Sequence, residues 1–229
     1  MKPILESLRG GLIVSVQAWA GSAIDDPYVL AAMAAAAEAN GAVAVRMQGV
    51  VNLTAARARV RVPIIGIIKR QYEGFEPYIT PTLAEVREIA ATGADIIAFD
   101  ATGRARPGGT SLDEIVAAIH AEGRLAMADC ATGADGVCAQ SAEADLVATT
   151  LCGYTNETKG TPLPALSLVR ELAELDTFVI AEGGVARPDD VAGALASGAD
   201  AVVVGTAITN VDALVREFTA RAAKGRPDA

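Results

Sequence analysis

The stretch "VPIIGIIKR" runs from Val62 to Arg70 as apolar β-formers and closes on a cation, Lys69. Burying an ammonium is costly unless it is paired or put to use, and a lysine becomes a general base once its neutral form is accessible. The same arrangement recurs along the chain. Strand side chains alternate between two faces, so every second residue belongs together: Ile13, Ser15, Gln17; Ala42, Ala44, Arg46; Ile65, Ile67, Lys69. It continues with Ile96, Ala98, Asp100; Leu125, Met127, Asp129; and Phe178, Ile180, Glu182. Each of these faces is apolar at its start and polar or charged at its end. Gathered on one rim, they offer a base, carboxylates, a permanent cation and an amide, a set suited to proton transfer on a polar substrate. Parity alone leaves open which face points inward.

Each candidate carries a plainer alternative. Lys69 is a base, or it pairs with Glu182 to satisfy two buried charges; burial and Arg46 lower its pKa while carboxylates raise it, so the net shift stays open. Asp129 and Glu182 are catalytic, or they orient neighbours as ion-pair partners or loop caps. Gln17 does not titrate and Arg46 stays protonated, so both read as positioning groups. Asp100 precedes "ATGRARPGGT" and is either a site residue or a turn residue. "AEGGV" and "VGTAIT" place Gly183, Gly184, Gly205 and Thr206 where a β/α barrel holds phosphate with backbone N–H groups, although tight turns need glycine in any case. Arg104 and Arg106 form an anion clamp or a solvated loop, and the polar connection 151–164 is a lid or a plain surface loop. Cys130 follows Asp129 but has no histidine signal to make it a nucleophile, and His120 on "EIVAAIHAEG" reads as structural.

Eight short apolar segments must position these groups: "GLIVSVQ", "AVAVRMQ", "PIIGIIK", "DIIAFD", "RLAMAD", "DLVATT", "FVIAEGG" and "AVVVGTA". Helical periodicity fills 27–39, 82–91, 112–121, 166–173 and 189–196 between them, while "NLTAARARVRV" is too short for a long helix. Glycine recurs just before strands, as in "ATGADIIAF" and "ASGADAVVV", where it ends the helix. Strands without alternating polarity belong in a parallel sheet covered on both faces, and eight βα units with right-handed crossovers close into a (β/α)8 barrel. An open doubly wound sheet lacks its G-x-G-x-x-G turn here.

The totals agree. A chain of 229 residues, 52% hydrophobic and poor in aromatics, fits one barrel domain over 1–229, with 1–10 an N-terminal extension and 222–229 a frayed tail. A net charge of −9 argues against a nucleic-acid partner. Cys130, Cys138 and Cys152 have no C-x-x-C spacing and suit a reducing cytoplasm. One histidine excludes a histidine-rich metal site, and no apolar run is long enough for a signal peptide or membrane span. No redox cofactor is expected; Asp100, Asp129 and Glu182 keep a divalent ion formally possible but not required.

Together "GLIVSVQA", "AVAVRMQG", "PIIGIIKRQYEG" with "YITPT", "GADIIAFDATGRARP", "MADCAT", "ATTLCGYT", "VIAEGG" and "VVVGTAIT" resemble the N-acylglucosamine-6-phosphate 2-epimerases, also called N-acetylmannosamine-6-phosphate epimerases. The resemblance is colinear from Gly11 to Thr209. It implies a (β/α)8 barrel that inverts C2 of N-acetylmannosamine 6-phosphate in sialic acid breakdown, without a cofactor or metal. It implies that Lys69 removes and returns the C2 proton with Glu182 assisting, that Gln17, Arg46, Asp129, Thr150 and Tyr154 meet the sugar, and that the four candidates Gly183, Gly184, Gly205 and Thr206 cradle its phosphate. A cytoplasmic homodimer is implied as well. One departure stands out: the family places an arginine after "AIT", and this chain has Asn210, which brings no charge to a phosphate. Arg187 or Arg104 would have to compensate. Other phosphosugar isomerases, a Schiff-base lyase, an epimerase of unphosphorylated sugars and a noncatalytic sensor share the same residues as alternatives.

Overall fold

The computed structural model describes residues 3–224. Eight parallel strands close into a barrel in sequence order: β1 (Leu12–Val16), β2 (Ala44–Gln48), β3 (Ile64–Ile67), β4 (Ile96–Asp100), β5 (Leu125–Asp129), β6 (Leu146–Ala148), β7 (Phe178–Glu182) and β8 (Ala201–Val204). Register follows the parity of the sequence, with Ser15 beside Arg46 and Asp100 beside Asp129. Ile13, Ala44, Ile65, Ile67, Ile96, Ala98, Met127, Leu146, Phe178, Ile180, Ala201 and Val203 form one cluster inside the barrel. The alternate strand residues, such as Val14, Val45, Ile97 and Phe99, pack outward against the helices. The inward face is therefore the one that ends in polar groups.

Helices follow the strands: α2 (Pro27–Ala39), α3 (Val50–Arg57), α4 (Leu83–Ala90), α5 (Leu112–Ala121), α6 (Gly133–Ser141), α7 (Leu166–Leu172), α8 (Pro188–Ala196), α9 (Thr206–Thr209) and α10 (Val211–Lys224). Thr82 opens α4 and Ser111 opens α5 with capping boxes that use Glu85 and Glu114. The connection judged too short for a long helix holds the last six of the eight residues of α3, which begins at Val50. No periodic pattern announced α6, because Gly133 and Gly136 interrupt it; it is fixed by a Thr132–Asp135 capping box and by close approach of α7.

The N-terminal extension is part of the barrel. Helix α1 (Pro3–Leu8) sends Leu5 and Leu8 into the interior cluster and closes the end opposite the polar rim. Three aspartates fasten that same end. Asp95 Oδ2 accepts from the Ile64 N–H at 2.9 Å, Asp145 Oδ2 from Ala126 at 2.8 Å, and Asp200 Oδ2 from Val179 at 2.8 Å. Each ties the start of one strand to the residue just before the next, as the recurring "GAD" and "EAD" steps require. Asp145 also holds His120, Nε2 to Oδ2 at 2.8 Å, giving that histidine its structural role.

At the other end of the chain, α10 carries the predicted frayed segment as helix as far as Lys224; residues 225–229 lie outside the described residues. Among the described residues, no helix is long and apolar enough to cross a membrane.

Candidate active site

The strand ends open into a cavity of about 520 Å³ lined by Gln17, Arg46, Lys69, Thr150, Tyr154, Glu182, Gly183, Gly184, Gly205 and Thr206 among others. All four phosphate candidates and both catalytic candidates thus share one space. Asp129 lies directly beneath it, fully buried at the end of β5.

Arg46 organises the floor. It is 1% exposed, donates from both terminal nitrogens to Asp129 at 3.0 and 2.6 Å, and reaches Glu182 Oε2 at 2.6 Å. Burial alone would lower its pKa, but Asp129 and Glu182 outweigh that and hold it above the ordinary arginine value. The Thr150 hydroxyl donates to Asp129 Oδ1 at 2.7 Å and stands 3.2 Å from Glu182 Oε2, locking the two acids together. Thr149 secures the end of β7, its hydroxyl donating to the Glu182 carbonyl at 2.8 Å and accepting from the Glu182 N–H at 3.0 Å.

Lys69 departs from the simple ion pair allowed by the sequence: Glu182 pairs with Arg46, and Lys69 makes no ion pair within 4 Å among the described residues. The residue sits just past β3, where the chain turns back and Lys69 bridges Ile79, with the Arg70 N–H bound to the Tyr78 carbonyl at 2.9 Å. The side chain is exposed by area, and it is to the cavity that it presents its amine. Desolvation, and then the Arg46 charge, hold its pKa below the usual 10.5 against the opposing pull of Glu182 and Asp129. Burial in turn pushes the Glu182 carboxyl up despite Arg46, with Asp129 adding to the rise. The floor therefore offers an amine that gives up its proton below the ordinary lysine range and a carboxyl that holds one more readily than usual.

Around this floor, Gln17 donates to Ser15 Oγ at 2.8 Å, and its buried Oε1 has no hydrogen-bond partner among the described residues. That acceptor suits a substrate hydroxyl or N–H. Gly183 and Gly184 have φ of +106° and +72°, and a Cβ on Gly184 would lie 2.3 Å from Leu163 Cβ, so this turn admits glycine for both reasons. Gly205 precedes α9, whose first N–H groups lack intrahelical partners.

Several side chains of the rim take other roles. Asp100 ends β4 buried, accepts from the Thr102 N–H at 3.0 Å and pairs with Arg104 at 2.6 Å; it does not line the cavity. Arg106 is neither anion clamp nor solvated: it is buried and donates to the carbonyls of Asp100 at 2.7 Å and Thr102 at 2.8 Å. Arg187 is exposed and outside the cavity lining. From the 151–164 connection, Leu151 and Tyr154 reach the cavity. Cys130 is buried with its thiol pushed well up by desolvation, which leaves it inert as a nucleophile. Sequence reasoning missed Trp19, Tyr78, Leu214 and Glu217, all cavity residues. Tyr78 comes from the returning segment after Lys69, and Leu214 and Glu217 from α10, positions that no strand parity can reveal.

A family model described as "Putative N-acetylmannosamine-6-phosphate epimerase" matches residues 30–224. A protein of Escherichia coli O9:H4 named as an N-acetylmannosamine-6-phosphate 2-epimerase is 49% identical over 205 residues, covering 89% of this chain and 88% of the relative. One from Cutibacterium acnes with the same name is 46% identical over 219 residues, covering 94% and 95%. Among solved structures, the N-acetylmannosamine-6-phosphate 2-epimerase of Clostridium perfringens superposes with a TM-score of 0.92 at 41% identity, covering 95% of each chain.

Proposed function

Because the chain belongs to the N-acetylmannosamine-6-phosphate epimerase family, we propose that it inverts C2 of N-acetylmannosamine 6-phosphate to give N-acetylglucosamine 6-phosphate, with Lys69 as the base. The observation that carries this reading is the unpaired Lys69 amine in the cavity while Arg46 engages both carboxylates. In the open-chain aldehyde, the neutral amine takes the C2 proton and the C–H electron pair moves toward O1 as an enolate. Arg46 favours that charge, and Glu182, held beside Lys69 by its bond to Arg46, assists. The planar enolate then turns about its C2–C3 bond to present its other face to the same ammonium, and return of the proton to C2 completes the inversion with no net gain or loss of electrons. Gln17 and Thr150 meet the sugar's polar groups, Tyr154 borders it, and the backbone at Gly183, Gly184, Gly205 and Thr206 receives the phosphate.

Lys69→Ala should abolish deuterium uptake at C2 in heavy water, followed by proton NMR, while the affinity for substrate stays mostly intact. Undiminished exchange would remove Lys69 from the base role. Borohydride added with substrate should leave the chain mass unchanged, since an adduct would instead mark an imine-forming lyase. We place the reaction in sialic acid breakdown in the cytoplasm, a setting that suits three free cysteines. We also propose that the working unit is a homodimer, on the exposed apolar side of α10.

A further inference from the structure

The charged side chains lining the cavity among the described residues are Arg46, Lys69, Glu182 and Glu217. Both cations stand at the ends of β2 and β3, and Arg46 is already held by two carboxylates. The wall built from β8, α9 and α10 contributes Gly205, Thr206, Asn210, Leu214 and Glu217, so its one charge is negative. Asn210 Oδ1 accepts the Ala213 N–H at 2.9 Å, which commits the oxygen to capping α10 and leaves the Nδ2 amide to offer the cavity. Arg216 lies 4.3 Å over the Trp19 ring and outside the cavity lining.

A phosphate monoester carries close to two charges at neutral pH. On this wall it meets neutral donors and a carboxylate, whereas a free hydroxyl can donate to that carboxylate. We infer that Asn210 and Glu217 determine specificity at the sugar's C6 end, so that the unphosphorylated N-acyl amino sugar is turned over alongside its 6-phosphate with only a modest preference between them. This rests on the epimerase reading above and on the phosphate end meeting the β8 wall.

The test compares kcat/KM for C2 epimerisation of N-acetylmannosamine and of its 6-phosphate, in the wild type, Glu217→Gln and Asn210→Arg. The wild type should favour the phosphate by less than about a hundredfold, and each variant should widen that preference by roughly tenfold. The gain should come through a lower KM for the phosphorylated sugar, because these side chains meet the substituent and not the reacting carbon. A wild-type preference above about a hundredfold, or a ratio unmoved in both variants, overturns the inference and leaves the epimerase standing. Failure of the wild type to epimerise either sugar removes the epimerase reading itself, and this inference with it.

Discussion

Arg46 brings one positive charge to two carboxylates, so with Lys69 neutral the buried cluster carries a net negative charge, and with Lys69 protonated it is balanced. Desolvation and Arg46 tilt this toward the neutral amine. As pH rises, the fraction of neutral Lys69 grows and kcat/KM should climb, levelling off at an apparent pKa below 10.5, the ordinary lysine value. A pH–rate profile of the wild type checks this, and an inflection at or above that value would mean Lys69 is not depressed. Removing a partner tests the cluster differently. Asp129→Ala leaves the guanidinium buried with two of its three acceptor oxygens gone and should cost roughly 3–5 kcal/mol of stability in urea unfolding. The rim residues were legible because strand parity is a strict geometric rule: Gln17, Arg46, Lys69, Asp129 and Glu182 converge as their spacing demands. The partner of each was not legible. Whether Glu182 pairs with Lys69 or Arg46 depends on distances across the barrel that no single strand encodes.

The helices and turns are held by small features that period counting passes over. In α6, a Cβ on Gly136 would lie 2.2 Å from Leu172 Cδ2, and one on Gly133 would run into Glu171. Glycine is chosen there for the closeness of α7 at a cost in helix propensity, so the amphipathic signal is erased where packing is tightest. Gly136→Ala should destabilise the fold by about 1–3 kcal/mol through overpacking, measured as a lower urea midpoint with unchanged m-value, while kcat on the epimerisation reaction holds. The strands and the helices α2, α4, α5, α7 and α8 were readable from apolar runs and periodicity, and the glycine before each strand marked the joints. The aspartate staples Asp95, Asp145 and Asp200 were hidden in that same signal, since a residue one step past the glycine reads as loop until its carboxylate finds the neighbouring strand's N–H. Arg106 was misread for a related reason: a basic loop in an acidic chain suggests an anion, but the loop folds so that its own carbonyls consume the guanidinium.

For the molecule as a whole, α10 is where the single barrel looks unfinished. Every residue from Val215 to Ala223 is exposed, and Val211, Val215 and Phe218, at 47%, 57% and 75% exposure, fall along one stripe of α10. A helix of this length is marginal on its own, and covering Val215 and Phe218 would contribute about 1.5–3 kcal/mol each. A second copy laid antiparallel suits the stripe, because it brings the Asp212 end of one helix over the Arg221 end of the other and opposes their dipoles. Leu214 and Glu217, on the flank of the same helix, line the cavity, so pairing on the stripe would steady a wall of the site. Sedimentation equilibrium at micromolar concentration should therefore return a dimer, and Phe218→Asp a monomer that still folds, since Phe218 lies outside the barrel core. With α10 unsupported, the monomer's KM should rise more than its kcat falls. A wild-type chain that sediments as a monomer, or a Phe218→Asp variant that stays paired, would assign the stripe to something other than a second copy.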